Sequence, residues 1–161
     1  MSAGEVLAFQ RFLDHLLAET YRWELWGAAV LINMGGCSDD GFEYFRGWLI
    51  SQGEEIYEAA RDDPDSLSAF PQVTDLRTRP DALWCQDILY VAFRPYRELT
   101  GEDLPAMVEK PPALDTAWSL DDPTEMRRRY PRLWNRFGQF MHADGTAGEP
   151  ENPSASSATD D

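Results

Sequence analysis

Apolar residues near the start of the chain recur at steps of three and four, which indicates an amphipathic helix. The recurring positions are Phe9, Phe12, Leu13, Leu16 and Leu17. Ser2 and Glu5 have the spacing of a capping box, so a helix is predicted over about residues 4–19. Residues 21–34 are apolar around most of a helical circumference and are followed by Gly35-Gly36, which predicts a central helix covered on most sides.

The middle of the chain carries start signals for three further helical segments. Ser38 is a good N-cap for a helix that runs to about Gln52. The buried stripe predicted for this helix is Phe42, Phe45, Trp48 and Leu49. Gly53 marks a stop or bend before residues 54–61 continue as helix, and Asp63 is predicted to cap a short helix that begins with Pro64.

Prolines interrupt the second half of the chain. Residues 69–79 are weakly patterned and are predicted to be a loop. Asp81 is expected to cap a helix that ends at Gly101 and that Pro95 kinks or shortens. The core face predicted for this helix is Leu83, Trp84, Ile88, Leu89, Val91, Ala92 and Tyr96. A crossing loop is expected over residues 102–121, after which Asp122 opens a last, basic helix.

The pattern contains no convincing strand and no internal repeat. It therefore predicts a mainly α fold, a compact single-domain bundle of five to seven helices over residues 1–142. Residues 143–161 have no large apolar side chain, five acids and no base. Such a segment cannot bury enough surface to offset the entropy of ordering, so a disordered acidic tail is predicted there.

Charge narrows the possible partners. The chain has 161 residues with 29 Asp+Glu against 14 Lys+Arg, a net charge of −15. Binding to a phosphate backbone or to anionic lipid needs clustered Lys and Arg, so non-specific nucleic-acid binding and membrane adsorption are not expected. The longest uncharged stretch, residues 25–38, is shorter than the roughly 20 apolar residues of a membrane span.

Two further features suggest a compartment. The N-terminal residues have no basic leader before an apolar run, so export by a signal peptide is not expected. Cys37 and Cys85 stand far apart without CxxC spacing, a pattern that indicates neither a zinc site nor a disulfide scaffold. We therefore expect a cytoplasmic protein.

Candidate chemistry is concentrated in residues 35–50. A glycine turn leads into a helix start bearing Asp39 and Asp40, and Glu43 lies on the same side of that helix. The three carboxylates are consistent with a hard-cation site, but they lack the alternating acids of a calcium loop, so no metal ligand is assigned. They also suit a purely structural role, in which the aspartates complement the helix dipole and Glu43 pairs with Arg46.

A third interpretation of the same segment is a ligand pocket. Arg46 would bond a planar or anionic group, and aromatic side chains would stack on it. The residues predicted for the site are Trp26, Ser38, Asp39, Asp40, Glu43, Tyr44, Arg46 and Trp48. Gly41 and Gly47 weaken the helix by about 1 kcal/mol each relative to alanine, which close helix packing explains as well as a ligand does.

Other reactive residues are less suggestive. Cys37 precedes a helix N-terminus, which can lower the pKa of a thiol, but a small buried residue is the alternative. His15 and His142 lie apart from Cys37 and Ser38 in sequence, so no nucleophile–base pair is indicated. The basic run over residues 127–132 is expected to pair with the domain's own acids or to form a solvated face. No cofactor motif occurs.

The segment that carries these residues resembles a bacterial, mostly actinobacterial family called domain of unknown function 4240. The resembling stretches are Leu25-Trp26-Gly27-Ala28-Ala29, Gly35-Gly36-Cys37-Ser38-Asp39-Asp40-Gly41-Phe42, Tyr44-Phe45-Arg46-Gly47-Trp48-Leu49-Ile50 and Asp63-Pro64-Asp65-Ser66-Leu67. They cover residues 5–68 tightly and residues 89–104 more loosely. The resemblance implies a family and no activity.

These observations favour a small binding or interaction protein with its site at residues 35–48. The expected partner is a protein or a small polar or anionic ligand, because an acidic surface steers cationic partners. One alternative is a small-molecule enzyme that uses Asp39, Asp40 or Glu43 in metal-assisted hydrolysis or group transfer. The other is a structural domain without a ligand, in which the segment serves helix packing alone and Trp26 and Trp48 are inserted in the core.

Overall fold

The computed structural model describes residues 1–74, 83–105, 113–114 and 118–141, and every regular element in these ranges is helical. The α-helices are α1 (Ala3–Glu19), α2 (Trp23–Ile32), α3 (Asp39–Ser51), α4 (Glu54–Asp62), α5 (Pro71–Thr74), α6 (Asp87–Tyr90), α7 (Phe93–Thr100), α8 (Pro123–Arg129) and α9 (Pro131–Phe137). Short 3₁₀ helices cover Pro64–Ala69 and Gly138–Phe140. The predicted mainly α fold is confirmed, since seven of these α-helices are longer than a single turn.

Helix α2 lies at the centre of the core. All residues from Leu25 to Ile32 are buried, as the apolar circumference predicts. Around α2 pack the buried faces of α3, α4, α9 and the first 3₁₀ helix. A smaller cluster of Val6, Ala92 and Tyr96 joins α1 to α7. A helix that is apolar around most of its circumference is stable only when other helices cover it on most sides. The helices that cover α2 therefore form the main core of the protein.

Helix α1 begins as predicted but buries a different face. Its Ser2 and Glu5 form the capping box in both directions. The buried residues are Val6, Gln10 and Leu13, whereas Phe9 and Phe12 are exposed. The prediction for the two phenylalanines was wrong, because α3 and α7 cover a strip of α1 that is narrower than its apolar face.

The starts of α3 and α4 follow the sequence signals closely. Ser38 accepts a hydrogen bond from the Gly41 amide at 3.1 Å, as an N-cap should. Gly53 has φ of 92°, a left-handed conformation that a residue with a Cβ adopts only with strain, and it separates α3 from α4. Asp63 caps the first 3₁₀ helix by accepting from the Asp65 amide.

The helix predicted from Asp81 to Gly101 is broken in the structure. Residues 83–86 are not helical, and α6 and α7 are separate short helices, although Gly101 ends α7 in the expected left-handed conformation. Leu83 and Leu89 are buried as predicted, but Trp84 and Val91 are about half exposed. Their predicted place on a core face was wrong, because it assumed one continuous helix. Part of the predicted 69–79 loop also forms a helical turn, α5.

The predicted last helix is two helices. Tyr130 has φ −128° and ψ 62°, outside the helical region, and Pro131 begins α9. Proline lacks an amide hydrogen and restricts the residue before it, so the chain cannot continue α8 through this position. Asp122 caps α8 as predicted, by accepting from the amides of Thr124 and Glu125.

Some predictions fall outside the described residues. These are the Asp81 cap, half of the crossing loop, His142 and the acidic tail over 143–161. The extent of the single domain stays a prediction. Within the part of the chain that the structure describes, no helix has the length and apolarity to cross a membrane.

Candidate functional site

The predicted site residues divide between the surface and the core. Ser38, Asp39, Asp40 and Glu43 are exposed at the start of α3. None of the three carboxylates forms a salt bridge with a described cationic side chain. No cluster of His, Cys, Asp or Glu in the described ranges has the geometry of a metal site. The start of α3 therefore presents free negative charge to the surroundings.

Trp26 and Trp48 lie in the core. The Trp26 ring stacks on Phe42 with centroids 4.8 Å apart, and its indole Nε1 donates to the carbonyl oxygen of Cys37 at 3.0 Å. Trp48 is buried and packs on Phe45. These two tryptophans hold the turn and the start of α3 against α2. In this structure they support the surface residues and do not face outward.

Arg46 connects α3 to the end of α1. Its Nη1 donates to the carbonyl oxygen of Leu17 at 2.7 Å, and its guanidinium lies 5.0 Å from the ring centre of Tyr21 and 5.1 Å from that of Phe42. Burial lowers the pKa of Arg46, and the nearby charge of Glu43 opposes that shift. The expected Glu43–Arg46 ion pair is replaced by this contact with α1, so Arg46 stabilises the packing of the helices.

Tyr44 is the predicted residue that lies beside the free carboxylates. Its ring contacts Trp84 with centroids 6.1 Å apart. Partial desolvation raises the pKa of Tyr44, and the charges of Asp40, Tyr90 and Glu43 add to that shift. We call Asp39, Asp40, Glu43, Tyr44, Trp84 and Tyr90 the acidic–aromatic surface.

The two other aromatic residues of this surface come from the segment that follows the undescribed residues 75–82. Trp84 is 50% exposed and Tyr90 is 53% exposed, and Tyr90 also meets the edge of Phe93 with ring centroids 5.7 Å apart. Large aromatic groups that stay half exposed together are typical of binding surfaces. The helical periodicity assigned Trp84 to the core, so sequence patterning missed this part of the site.

Gly47 brings that segment onto α3. The Cys85 amide donates to the Tyr44 carbonyl oxygen at 3.2 Å. A Cβ at Gly47 would lie 2.6 Å from the carbonyl oxygen of Cys85 and 2.9 Å from the Ile88 side chain. Only a glycine permits this approach of α3 to the 85–88 backbone. Close packing therefore explains why a glycine stands at position 47. The same close approach of the two segments sets the distance between Tyr44 and Trp84.

Cys37 is a poor nucleophile. Burial raises the pKa of its thiol to about 11, and the charge of Asp39 adds to that shift, while a hydrogen bond with Asn33 opposes it. The lowering that a helix start can cause is not found, because desolvation of the thiolate dominates, in agreement with the alternative of a small buried residue. Cys37 and Cys85 are both free, in agreement with their spacing in sequence.

The basic run near the C-terminal end pairs with acids of the same domain, as expected. Arg128 and Arg129 both bond to Glu125. Arg132 pairs with Asp63 and, at 2.9 Å, with Asp65. Asp65 is buried and also accepts the amide hydrogens of Arg132 and Leu133, which are otherwise unpaired at the start of α9. The ion pairs of Arg132 join α9 to the first 3₁₀ helix, and those of Arg128 and Arg129 lie within α8.

The fold and this surface define a small helical protein with exposed, unpaired acids and aromatic rings. The chain belongs to the family described as protein of unknown function (DUF4240), which matches residues 1–98. The match contains the whole acidic–aromatic surface. Comparison with curated proteins and comparison with solved structures each gave no match.

Proposed function

We propose that this protein is an interaction protein that binds a basic segment of a partner protein through the acidic–aromatic surface. One observation supports this above the others. Half-exposed Trp84 contacts Tyr44 on the helix whose exposed start bears Asp39, Asp40 and Glu43, and half-exposed Tyr90 lies in the same segment as Trp84. Aromatic faces and carboxylates together are the groups that recognise Arg and Lys side chains.

The chemistry of the surface favours arginine. A guanidinium can stack on an aromatic face and donate in a bidentate manner to a carboxylate at the same time. The rings of Tyr44 and Trp84 are inclined by 54°, so they present two faces at an angle beside the start of α3. Each stacked cation contributes about 0.5–1 kcal/mol at an exposed site, which means that several basic residues are needed for measurable affinity.

The structure gives less support to an anionic ligand and to the enzyme hypothesis. An anionic ligand would need Arg46, whose guanidinium is engaged by the Leu17 carbonyl and two rings. Acid–base catalysis favours a water-excluded site, whereas Asp39, Asp40 and Glu43 are exposed. We retain the cytoplasm as the expected location, where such a partner would be met.

The test is a titration of a fluorescein-labelled hexa-arginine peptide followed by anisotropy, with a hexa-citrulline peptide as the uncharged control. We expect Asp39→Asn/Asp40→Asn and Trp84→Ala each to weaken peptide binding by at least about tenfold. The matched control is Glu102→Gln/Asp121→Asn, which removes the same charge from other exposed positions.

Equal weakening by the control and by the α3 variant would show that only net charge matters and would overturn the proposal. The proposal would also be overturned if the peptide changed the amide chemical shifts of other residues but not those of residues 39–44 and 84–90. Thermal unfolding of each variant shows whether a loss of binding comes from a loss of structure. Affinity capture from native lysate, compared between the wild type and Asp39→Asn/Asp40→Asn, would then identify the natural partner.

A further inference from the structure

A cleft lies at the other end of α3 from the acidic–aromatic surface. It has a volume of about 520 Å³, lies between α1 and α4, and is also lined by Ile50 and Gly53. Helix α1 contributes Phe12, His15, Leu16 and Glu19, and helix α4 contributes Glu54, Tyr57, Glu58 and Arg61. Each set has the spacing of one helix face, so the two helices face each other across the cleft.

The size and the lining are those of a small-molecule site. Pockets for small ligands have volumes of roughly 300–1,000 Å³, an apolar body and a few polar groups at defined places. Here Phe12, Leu16 and Ile50 supply the apolar surface. Phe12 is 61% exposed, which is unusual for a phenylalanine on a packed helix unless it serves a surface contact.

Tyr57 fixes the inner end of the cleft. Its hydroxyl lies 3.0 Å from the Leu16 carbonyl oxygen and 3.1 Å from Oε2 of Glu19. The Leu16 carbonyl oxygen already accepts from the amide and the hydroxyl of Thr20. Because a hydroxyl has one hydrogen to donate, Tyr57 is best placed to give it to Glu19. Glu19 is thereby held in place with its second oxygen facing His15 at 3.8 Å.

The charge of the cleft is negative. Glu19, Glu54 and Glu58 oppose one arginine, and the Nε of that arginine, Arg61, is 3.1 Å from Asp62. Glu54 and Glu58 are exposed and stand one helical turn apart. These three carboxylates surround the apolar side chains of the cleft, which include the ring of Phe12. Such a combination attracts a cation with an apolar body.

We propose that the α1–α4 cleft binds a small organic cation, an amine or quaternary ammonium with an apolar body. The ammonium lies among Glu19, Glu54 and Glu58, and the apolar part covers Leu16 and Ile50 beside Phe12. This site is separate from the acidic–aromatic surface, which lies at the opposite end of α3. The two proposals therefore stand or fall independently.

The test uses 4-phenylbutylammonium as the probe, with 4-phenylbutanol as its neutral counterpart. Binding is followed by amide shifts in ¹H–¹⁵N correlation spectra. We expect saturable shifts at residues 12–19 and 50–61, and at least tenfold tighter binding of the cation than of the alcohol. We expect Glu54→Gln/Glu58→Gln to weaken the cation about tenfold and to leave the weak binding of the alcohol unchanged.

The matched control is Asp39→Asn/Asp40→Asn, which removes the same charge at the far end of α3. Equal affinity for cation and alcohol, equal weakening by both double variants, or shifts confined to other residues would each overturn the proposal. Glu54 and Glu58 are exposed and have no described side-chain hydrogen bond, so their variants are expected to fold. Glu19→Gln is a second variant that tests the inner carboxylate, and retention of full affinity in both variants would contradict the site.

Discussion

Cys37 and Arg46 show, at the scale of single residues, how burial changes the pKa of a polar side chain and so its role. Each lies within the segment richest in functional side chains, and each has its pKa moved chiefly by desolvation. The thiol is held in its neutral form, and the guanidinium is held between rings and a carbonyl oxygen. Asp39, Asp40 and Glu43 lie outside the core and form no salt bridge with a described cationic side chain.

Cys37 is expected to react slowly with thiol reagents. Only the thiolate reacts, and raising the pKa from 9.0 to about 11 reduces the thiolate at pH 8 by about a hundredfold. In the variant Cys85→Ser, the rate of Cys37 alkylation in the folded protein should be at least this much below the rate in urea. Equal rates in the two conditions would contradict the burial of the thiol.

Glu125 is expected to titrate far below an ordinary carboxyl. Hydrogen bonds from Arg128 and then Arg129 lower its pKa to about 2 from 4.5. Its interactions stabilise the folded state above pH 4.5, and this contribution is lost as the pH falls from 4.5 towards 2. Carboxyl ¹³C shifts should show the low midpoint in the wild type, and Arg128→Gln should raise it. A midpoint near 4.5 in the wild type would contradict the bidentate contact.

Single side chains also decide how the elements join. Asp65, on the first 3₁₀ helix, supplies the carboxylate that pairs with the first free amides of α9 and with Arg132. Helix α9 begins with Pro131 and has no side-chain cap of its own. A carboxylate from a distant segment therefore replaces the local N-cap, and it links the end of the described chain to its middle.

Asp65→Asn should reduce the free energy of unfolding by about 2 kcal/mol or more, because the amide NH2 replaces one of two oxygens that both accept hydrogen bonds and so faces a donor that loses its acceptor. Asp63→Asn is the matched control. Its exposed pair with Arg132 should contribute less than about 1 kcal/mol. Urea unfolding measures both changes, and equal effects of the two variants would contradict the capping role of Asp65.

Gly47→Ala should disturb the contact between α3 and the segment that carries Trp84. The new Cβ would clash with backbone at Cys85, so we expect a loss of about 1–3 kcal/mol despite the better helix propensity of alanine. Gly41→Ala, in the same helix, meets its nearest atom at 3.3 Å and is the control with the smaller effect. Urea unfolding and the Tyr44–Trp84 proton contacts in NMR spectra test this. An unchanged Tyr44–Trp84 contact would show that Gly47 does not set the geometry of the site.

The charge of the whole molecule bears on association kinetics. With a net charge of −15 and the basic run paired internally, the field around the protein is expected to speed the approach of a basic peptide. Raising the salt concentration from 20 to 300 mM should lower the association rate of hexa-arginine by about tenfold or more, with a smaller change in dissociation. Stopped-flow anisotropy measures both rates. A salt effect confined to dissociation would contradict steering.

Much of the helical architecture follows from local signals in the sequence. Ser2 with Glu5, Ser38, Asp63 before Pro64, and Asp122 before Pro123 all cap helices as predicted. A capping side chain bonds to a backbone amide within three residues, and a glycine ends a helix through its own backbone conformation. Helix ends therefore depend on residues that are close in sequence. The effect of Pro131 on the helix is also local in sequence. A prediction that included this effect would have found the break between α8 and α9.

The tertiary structure alone decided which apolar faces are covered. Phe12 and Trp84 are as hydrophobic as the buried Phe42 and Trp26, and only the positions of the neighbouring helices leave the first two exposed. The same contacts placed Arg46 against two rings and the Leu17 carbonyl oxygen, and placed Tyr44 against Trp84. Sequence determined the helices and the acidic start of α3, because those depend on near neighbours. The surface and the cleft depend on residues that are far apart in the chain and become neighbours only when the helices pack.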